Sequence, residues 1–326
     1  MNRLYPMKFH PLLKEHLWGG EKLQKIFNIN VKKQSRFGEA WLLSGMEGSE
    51  TVVSNGWLAD NDLSELTEIF MGDLVGDKVY ETHENHFPLL FKVIDAHENL
   101  SVQVHPDDVL AQQRGLKNGK TEMWYIMEAE KDAELIAGFN KAINKESFEK
   151  LLTQNRLETV LNHEKIVSGD VFFMPAGRIH SIGKGILLAE IQQSSDTTYR
   201  IYDWNRTDNK GNSRQLHIAE SLDAIDFQIQ KDYKTHYSVE ENKTSPVIHS
   251  PCFTTNILSA NAPVRKNFSE LDSFVVYLCV EGSFSVSYDG EITPIHTGEL
   301  LLIPNIITEL LIVPTPKTKV LEVFMT

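Results

Sequence analysis

The chain has 326 residues, 41% of them hydrophobic and 24% charged, the balance of a globular protein with enough material for a large core and two domains. Its formal net charge of −13 argues against broad binding to nucleic acid or to an anionic membrane, yet leaves room for a small anionic ligand held by a few local cations. The two cysteines, Cys252 and Cys279, read as free thiols in a reducing compartment; with no signal-like segment and no apolar run near the roughly 20 residues of a membrane helix, a cytoplasmic location is expected.

Most of the chain reads as short strands punctuated by Gly, Pro, Asn and Asp, the pattern of an all-β sandwich or barrel. Strand-like runs occupy 38–45 (GEAWLLSG) and 51–56 (TVVSNG), and a helix is expected over 62–71 with Leu63, Leu66, Ile69 and Phe70 on one face. FPLLFKVIDA (87–96), LSVQVHP (100–106), EMWYIMEA (122–129) and DAELIAGF (132–139) follow as strands. A second helical segment covers 145–161, with Phe148, Leu151 and Leu152 as its apolar stripe, before GDVFFMP (169–175) and GILLAEIQQ (185–193). A third helix over 216–224 leads to a charged, strand-poor stretch at 231–243. The domain boundary is placed there, giving 1–235 and 236–326. The second part is strand again, in FTTNILSA, SFVVYLCVEG, FSVSYDG, GELLLIP and KVLEVFM. GELLLIPNIITE echoes GDVFFMPAGRIH: Gly298 answers Gly169, Pro304 answers Pro175, and Glu309 stands where His180 would be. A repeated β-unit that kept its metal ligand only in the first copy would read this way.

Gln103 and His105 lie two apart in a strand-like run and so share a face. Glu122 opens a second such run. His180 closes the pattern Gly169-x5-Pro175-x-Gly177-x2-His180, in which Gly177 permits the bend that returns the imidazole to the interior. Two imidazoles, a carboxylate and an amide oxygen can hold one divalent metal and leave a position open for water or substrate. Ser101 falls on the face of Gln103 and His105, and Lys120 on that of Glu122. Lys92 and Glu190 are charges inside apolar runs, which is costly without a partner. Trp18 and Trp204 offer aromatic faces for a sugar, whereas Trp124, mid-strand, reads as core. His10, His16, His83 and His86 form no ligand spacing. His97 alone lies near enough in sequence to the metal strand to be considered a proton carrier.

The turn around His180 resembles the second motif of cupin barrels, and the whole combination resembles class I mannose-6-phosphate isomerases. The resemblance is carried by WGG at 18–20, PLLFKVIDA at 88–96, LSVQVHPDD at 100–108, GKTEMWY at 119–125, PAGRIHSIG at 175–183 and SSDTTYRIYDWNR at 194–206. It implies an all-β-dominated fold: a cupin (jelly-roll) barrel with short helical insertions, followed by a second, smaller cupin-like β domain without metal. It implies one Zn2+ per chain on Gln103, His105, Glu122 and His180, and interconversion of mannose 6-phosphate and fructose 6-phosphate through an enediolate. Arg200, which follows Ser195-Asp196, matches the arginine the family places at the active-site mouth. Arg200, Glu190 and Lys120 are then the expected catalytic residues, with Glu190 or a zinc-bound water as base; Ser101, Lys92 and Trp18 are the expected substrate contacts. The expected partner is a small sugar phosphate, with no nucleic acid or membrane, and the expected state a monomer or weak homodimer.

Two departures from longer members point to the short bacterial form. Gly119 stands where those members carry a His, and Ile201 to Trp204 replaces a Gly-rich Thr-Pro-Lys run. Two rival readings use the same residues. An iron-dependent cupin oxygenase would prefer His and carboxylate ligands, so Gln103 weighs against it. A non-catalytic sugar-binding cupin would not need Lys92, Lys120 and Arg200 beside a complete ligand set.

Overall fold

The computed structural model describes residues 3–29, 35–207 and 211–325. A seven-stranded antiparallel sheet takes the order Lys234–Thr235, Val171–Met174, Glu122–Ala129, Ile186–Gln193, Leu89–Ala96, Leu12–Gly20 and Phe37–Leu43. A five-stranded sheet is formed by Leu161–Lys165, Glu134–Phe139, His180–Ser181, Val102–Val104 and Tyr199–Tyr202. Trp124, Ile126, Phe172 and Leu188 of the first sheet pack with Leu135 and Ala137 of the second, so the two sheets enclose a common interior. Phe148, in the helix Lys145–Thr153, and Leu222, in the helix Ile218–Ala224, cover the other face of the five-stranded sheet through Val102, Val104 and Ile136.

Strand alternation explains why the central runs look uniformly apolar. Every residue of Leu89–Ala96 is buried, because the seven-stranded sheet is covered on both faces. Leu89, Phe91 and Val93 face a core shared with Ile257, Val276, Leu278, Leu321 and Val323 of the C-terminal part. Ile94 faces the interior between the first two sheets. The C-terminal part has a five-stranded sheet (Thr244–His249, Thr254–Ala260, Thr318–Phe324, Val275–Glu281, Leu300–Ile303) and a four-stranded one (Val264–Asn267, Glu309–Pro314, Ser283–Tyr288, Glu291–His296). Tyr277, Phe284, Ile295 and Leu301 fill the space between them. The N-terminal segment is tied to this part: the Met7 N–H donates to the Leu302 carbonyl at 2.8 Å, and the Leu302 N–H donates back at 2.9 Å. Among the described residues no helix is long and apolar enough to cross a membrane.

The expected helices are present with altered limits. The first, Leu63–Val75, starts at Asp62, whose carboxylate accepts from the Glu65 N–H, and breaks at Met71 (φ 47°). Its buried stripe is Leu63, Leu66 and Leu74; Ile69, expected on that face, is 63% exposed. The second is one helix, Lys145–Thr153, followed by a separate 3-10 turn at Leu157–Val160. Lys22–Ile26, Asp77–His83 and Asp108–Gln113 are further helices of one or two turns, too short to show a period. The repeated motif has matching backbones at its start: Gly169 (φ 91°) and Gly298 (φ 86°) precede the strands Val171–Met174 and Leu300–Ile303. The copies then diverge, since Glu309 is exposed and faces Arg265 at 3.8 Å.

Candidate metal centre and active-site cavity

His180 and Gln103 are direct cross-strand partners in the five-stranded sheet, and Gln103 is in turn the partner of Arg200. Glu122 comes from the seven-stranded sheet, paired with Met174 and Gln192. The two sheets thereby bring His105, Glu122 and His180 together with ligand atoms within 4.8 Å of one another. His105 Nε2 lies 3.5 Å from Glu122 Oε2, and His180 Nε2 lies 3.3 Å from Glu122 Oε1. The Gln103 amide is 3.3 Å from His180 Nε2, and a half-turn about its terminal bond exchanges nitrogen for oxygen there.

Both imidazoles are held from behind. His105 Nδ1 donates to the Thr197 carbonyl at 2.9 Å, and His180 Nδ1 donates to the Arg178 carbonyl at 2.8 Å. Carbonyl acceptors fix the hydrogen on Nδ1 and leave each Nε2 lone pair directed inward. Burial pushes His180 down to about 4; burial, reinforced by Lys120, holds His105 well below the ordinary imidazole range. Both are therefore neutral ligands at neutral pH. Burial, with Glu190 nearby, pushes the Glu122 carboxyl up to about 7 against the pull of Lys120. Among the described residues neither buried Glu122 oxygen has a hydrogen-bond partner. A divalent cation fits this donor set, since a buried carboxylate without hydrogen bonds is otherwise costly.

A cavity of about 580 Å³ opens beside this centre. Trp18, Lys92, Ser101, Gln103, Lys120, Glu190 and Arg200 all line it, so the expected substrate and catalytic residues share one wall system with the amide ligand. Lys120 Nζ sits 3.2 Å from His105 Nε2 and 3.4 Å from Glu122 Oε2. Across the seven-stranded sheet Trp124, Glu190, Lys92 and Trp41 form one cross-strand row. Lys92 Nζ donates to Glu190 Oε1 at 3.0 Å, Trp124 Nε1 donates to Glu190 Oε2 at 2.9 Å, and Glu39 Oε2 lies 3.8 Å from Lys92 Nζ. Burial alone would lower the Lys92 ammonium, but Glu190 and Glu39 outweigh it and hold its pKa up. Burial would raise Glu190, but Lys92 and Lys120 hold it low. Both Glu190 oxygens thus accept hydrogen bonds, one from Lys92 and one from Trp124.

The family described as phosphomannose isomerase type I, catalytic domain, matches residues 7–147. Mannose-6-phosphate isomerase ManA of Bacillus subtilis is 36% identical over 307 residues, covering 92% of this chain and 93% of that protein. The mannose-6-phosphate isomerase of Streptococcus mutans is 33% identical and covers 93% of each chain. This chain belongs to the type I mannose-6-phosphate isomerase family. The crystal structure of the Bacillus subtilis mannose 6-phosphate isomerase superposes with a TM-score of 0.87 at 29% identity, over 98% of this chain and 99% of that one, which gives the cupin fold. A putative mannosephosphate isomerase from Archaeoglobus fulgidus shares the fold at 20% identity and a TM-score of 0.78, over 98% of each chain.

Within the family pattern, the departure at Gly119 is built into the backbone. A Cβ there would meet the Asp107 carbonyl carbon at 2.6 Å and the Asp108 nitrogen at 2.7 Å. Two other expectations change. His97 lines a separate hollow with Lys22, Arg36 and Asp95, so it is not at the cavity. Trp204 lines another, with Asn99 and Lys184, and its Nε1 donates to the Leu100 carbonyl at 2.6 Å. Trp124 is fully buried as expected, but its ring stands edge-on to His180 at 5.3 Å, which makes it part of the site's frame. Among the described residues Arg200 has no ion pair: Asp203 is engaged by Arg206 and Arg214 instead, and Arg200 Nη1 donates to the Gln215 carbonyl at 2.9 Å. Glu39, His16 and Arg214, none of them expected at the site, also line the cavity. Glu39 carried a usable signal, a charge inside GEAWLL. His16 and Arg214 carried none.

Proposed function

We propose that the chain is a zinc-dependent isomerase that interconverts mannose 6-phosphate and fructose 6-phosphate, with residues 1–235 as the catalytic unit and 236–326 as a metal-free β unit. The observation that carries this reading is the Glu122 carboxylate, which has no hydrogen-bond partner among the described residues and is buried between two inward-facing Nε2 atoms at the edge of a polar cavity. Gln103, His105, Glu122 and His180 would hold the ion. When bound, it supplies positive charge that polarises the sugar's oxygens.

The surrounding residues suit a reaction that moves a proton between neighbouring carbons through an enediolate. Arg200 reaches the cavity from the strand beside Gln103 and contributes fixed positive charge for the developing oxyanion. Lys92, locked by Glu190, offers an ammonium to a sugar hydroxyl, and Ser101, 3% exposed, offers a hydroxyl on the same wall. Trp18 lays an aromatic surface along the cavity. Lys120 holds a cation against the ligands themselves. Product analysis checks the reading: metal-loaded protein given mannose 6-phosphate should form fructose 6-phosphate. Oxygen uptake with ferrous iron and no ketose product would instead identify a cupin oxygenase.

A further inference from the structure

Among the described residues, two buried side-chain nitrogens lack a hydrogen-bond partner, His16 Nε2 and Arg200 Nε, and both residues line the same cavity. They reach it from different sheets, His16 on Leu12–Gly20 and Arg200 on Tyr199–Tyr202. Arg214 also lines the cavity and lies within electrostatic reach of both: after burial, its charge is among the causes that lower the pKa of each. Two guanidinium groups and a neutral imidazole, all able to donate hydrogen bonds, thus line one cavity, a lining suited to an anion.

Each group is held in place. The His16 ring lies flat on Trp18, with centroids 4.5 Å apart and planes 10° apart. Arg214 Nε donates to Asp203 Oδ2 at 2.7 Å and its Nη2 to Oδ1 of the same carboxylate. Two acidic groups stand beside them. Glu39 Oε1 lies 3.5 Å from His16 Nε2, beyond hydrogen-bond reach, while its Oε2 accepts from Trp41 Nε1 at 2.7 Å and faces Lys92; Asp203 is shared with Arg206. His16 has Glu39, Lys92, Arg214 and Lys14 as its charged neighbours, none of them a metal ligand.

We propose that His16 and Arg214, on the cavity wall that Arg200 also lines, form the subsite for the phosphate monoester of the substrate. The inference rests on the sugar-phosphate reading above and assigns its anionic end to residues outside the metal set. A phosphate dianion has three terminal oxygens and suits donors that converge from separate directions, one of them a rigid guanidinium. The open hexose chain then extends from this subsite toward Gln103 and Lys120.

Steady-state kinetics on the metal-loaded full chain test it, with inorganic phosphate as a second probe. His16→Ala and Arg214→Ala should each raise KM for mannose 6-phosphate about tenfold, the loss expected for one charge-assisted hydrogen bond, with kcat changing far less. Inhibition by inorganic phosphate should weaken by the same factor, and His16→Gln, which keeps a donor, should recover part of both losses. Unchanged KM and unchanged phosphate inhibition in His16→Ala would overturn the subsite, and so would a loss confined to kcat. His16 is half-buried and its variant decides the matter even if Arg214→Ala, by stranding Asp203, fails to fold. Calorimetry with inorganic phosphate separates the two readings. Phosphate binding that His16→Ala weakens, in a wild type that does not isomerise mannose 6-phosphate, would sink the enzymatic reading and leave the anion subsite standing. Isomerisation by a wild type whose phosphate binding His16→Ala leaves intact would do the reverse.

Discussion

Glu122 is buried with no hydrogen-bond partner among the described residues, and Lys120 at 3.4 Å does not outweigh the cost of that burial, which a bound metal ion would offset. Glu122→Gln should therefore abolish stoichiometric metal binding while leaving the metal-free protein at least as stable as the metal-free wild type. Metal analysis and thermal melts of both stripped proteins check this. Arg200 is not a ligand, so Arg200→Ala should keep the metal and lower kcat about 100-fold or more, the effect of removing a preorganised charge where an oxyanion develops. Glu39 and Glu190 contribute through pH. Burial alone would raise both, but Lys92 outweighs it, and both titrate below their ordinary value of 4.5. The stability they supply is complete above that value and is lost as pH falls through their depressed folded-state values. Urea unfolding should show a lower midpoint at pH 4 than at pH 7, and Glu190→Gln should flatten that dependence.

At the scale of elements, the metal strands were legible because their chemistry sits on a two-residue period. Gln103 and His105 share a face, and Lys92 and Glu190 stand out as charges in buried runs. The wall made by Leu12–Gly20 was not legible. Its strand is interrupted where it pairs with Phe37–Leu43, with register shifts after Lys14 and after Glu15, so His16 shows no alternation to read. Close packing here depends on glycine: a Cβ on Gly38 would lie 2.5 Å from the Trp18 ring. Gly38→Ala should displace Trp18, cost about 1–3 kcal/mol as overpacking does, and raise KM; denaturant unfolding and kinetics on one variant read both. The short helices escaped for a different reason. Asp107 caps Asp108–Gln113 with its side chain, and the segment is too brief for periodicity to show.

For the whole molecule, the decisive fact is that the seven-stranded sheet has two functions, one on each face. One face carries the site, and the other packs Phe91, Val93 and Ile191 against Val276, Leu321 and Val323 of the C-terminal part. A fragment ending at residue 235 would expose that second face, so it should aggregate or unfold, as light scattering and circular dichroism would show. The sequence pattern held no sign of this shared core, because a strand buried on both faces reads the same whatever covers it. The most direct test of the functional account is to strip the protein of metal and titrate Zn2+ back while following conversion of mannose 6-phosphate to fructose 6-phosphate. Activity should be absent at the start, rise in proportion to added metal and level off at one ion per chain. Undiminished turnover in the stripped protein, or no turnover with one ion bound, would contradict it.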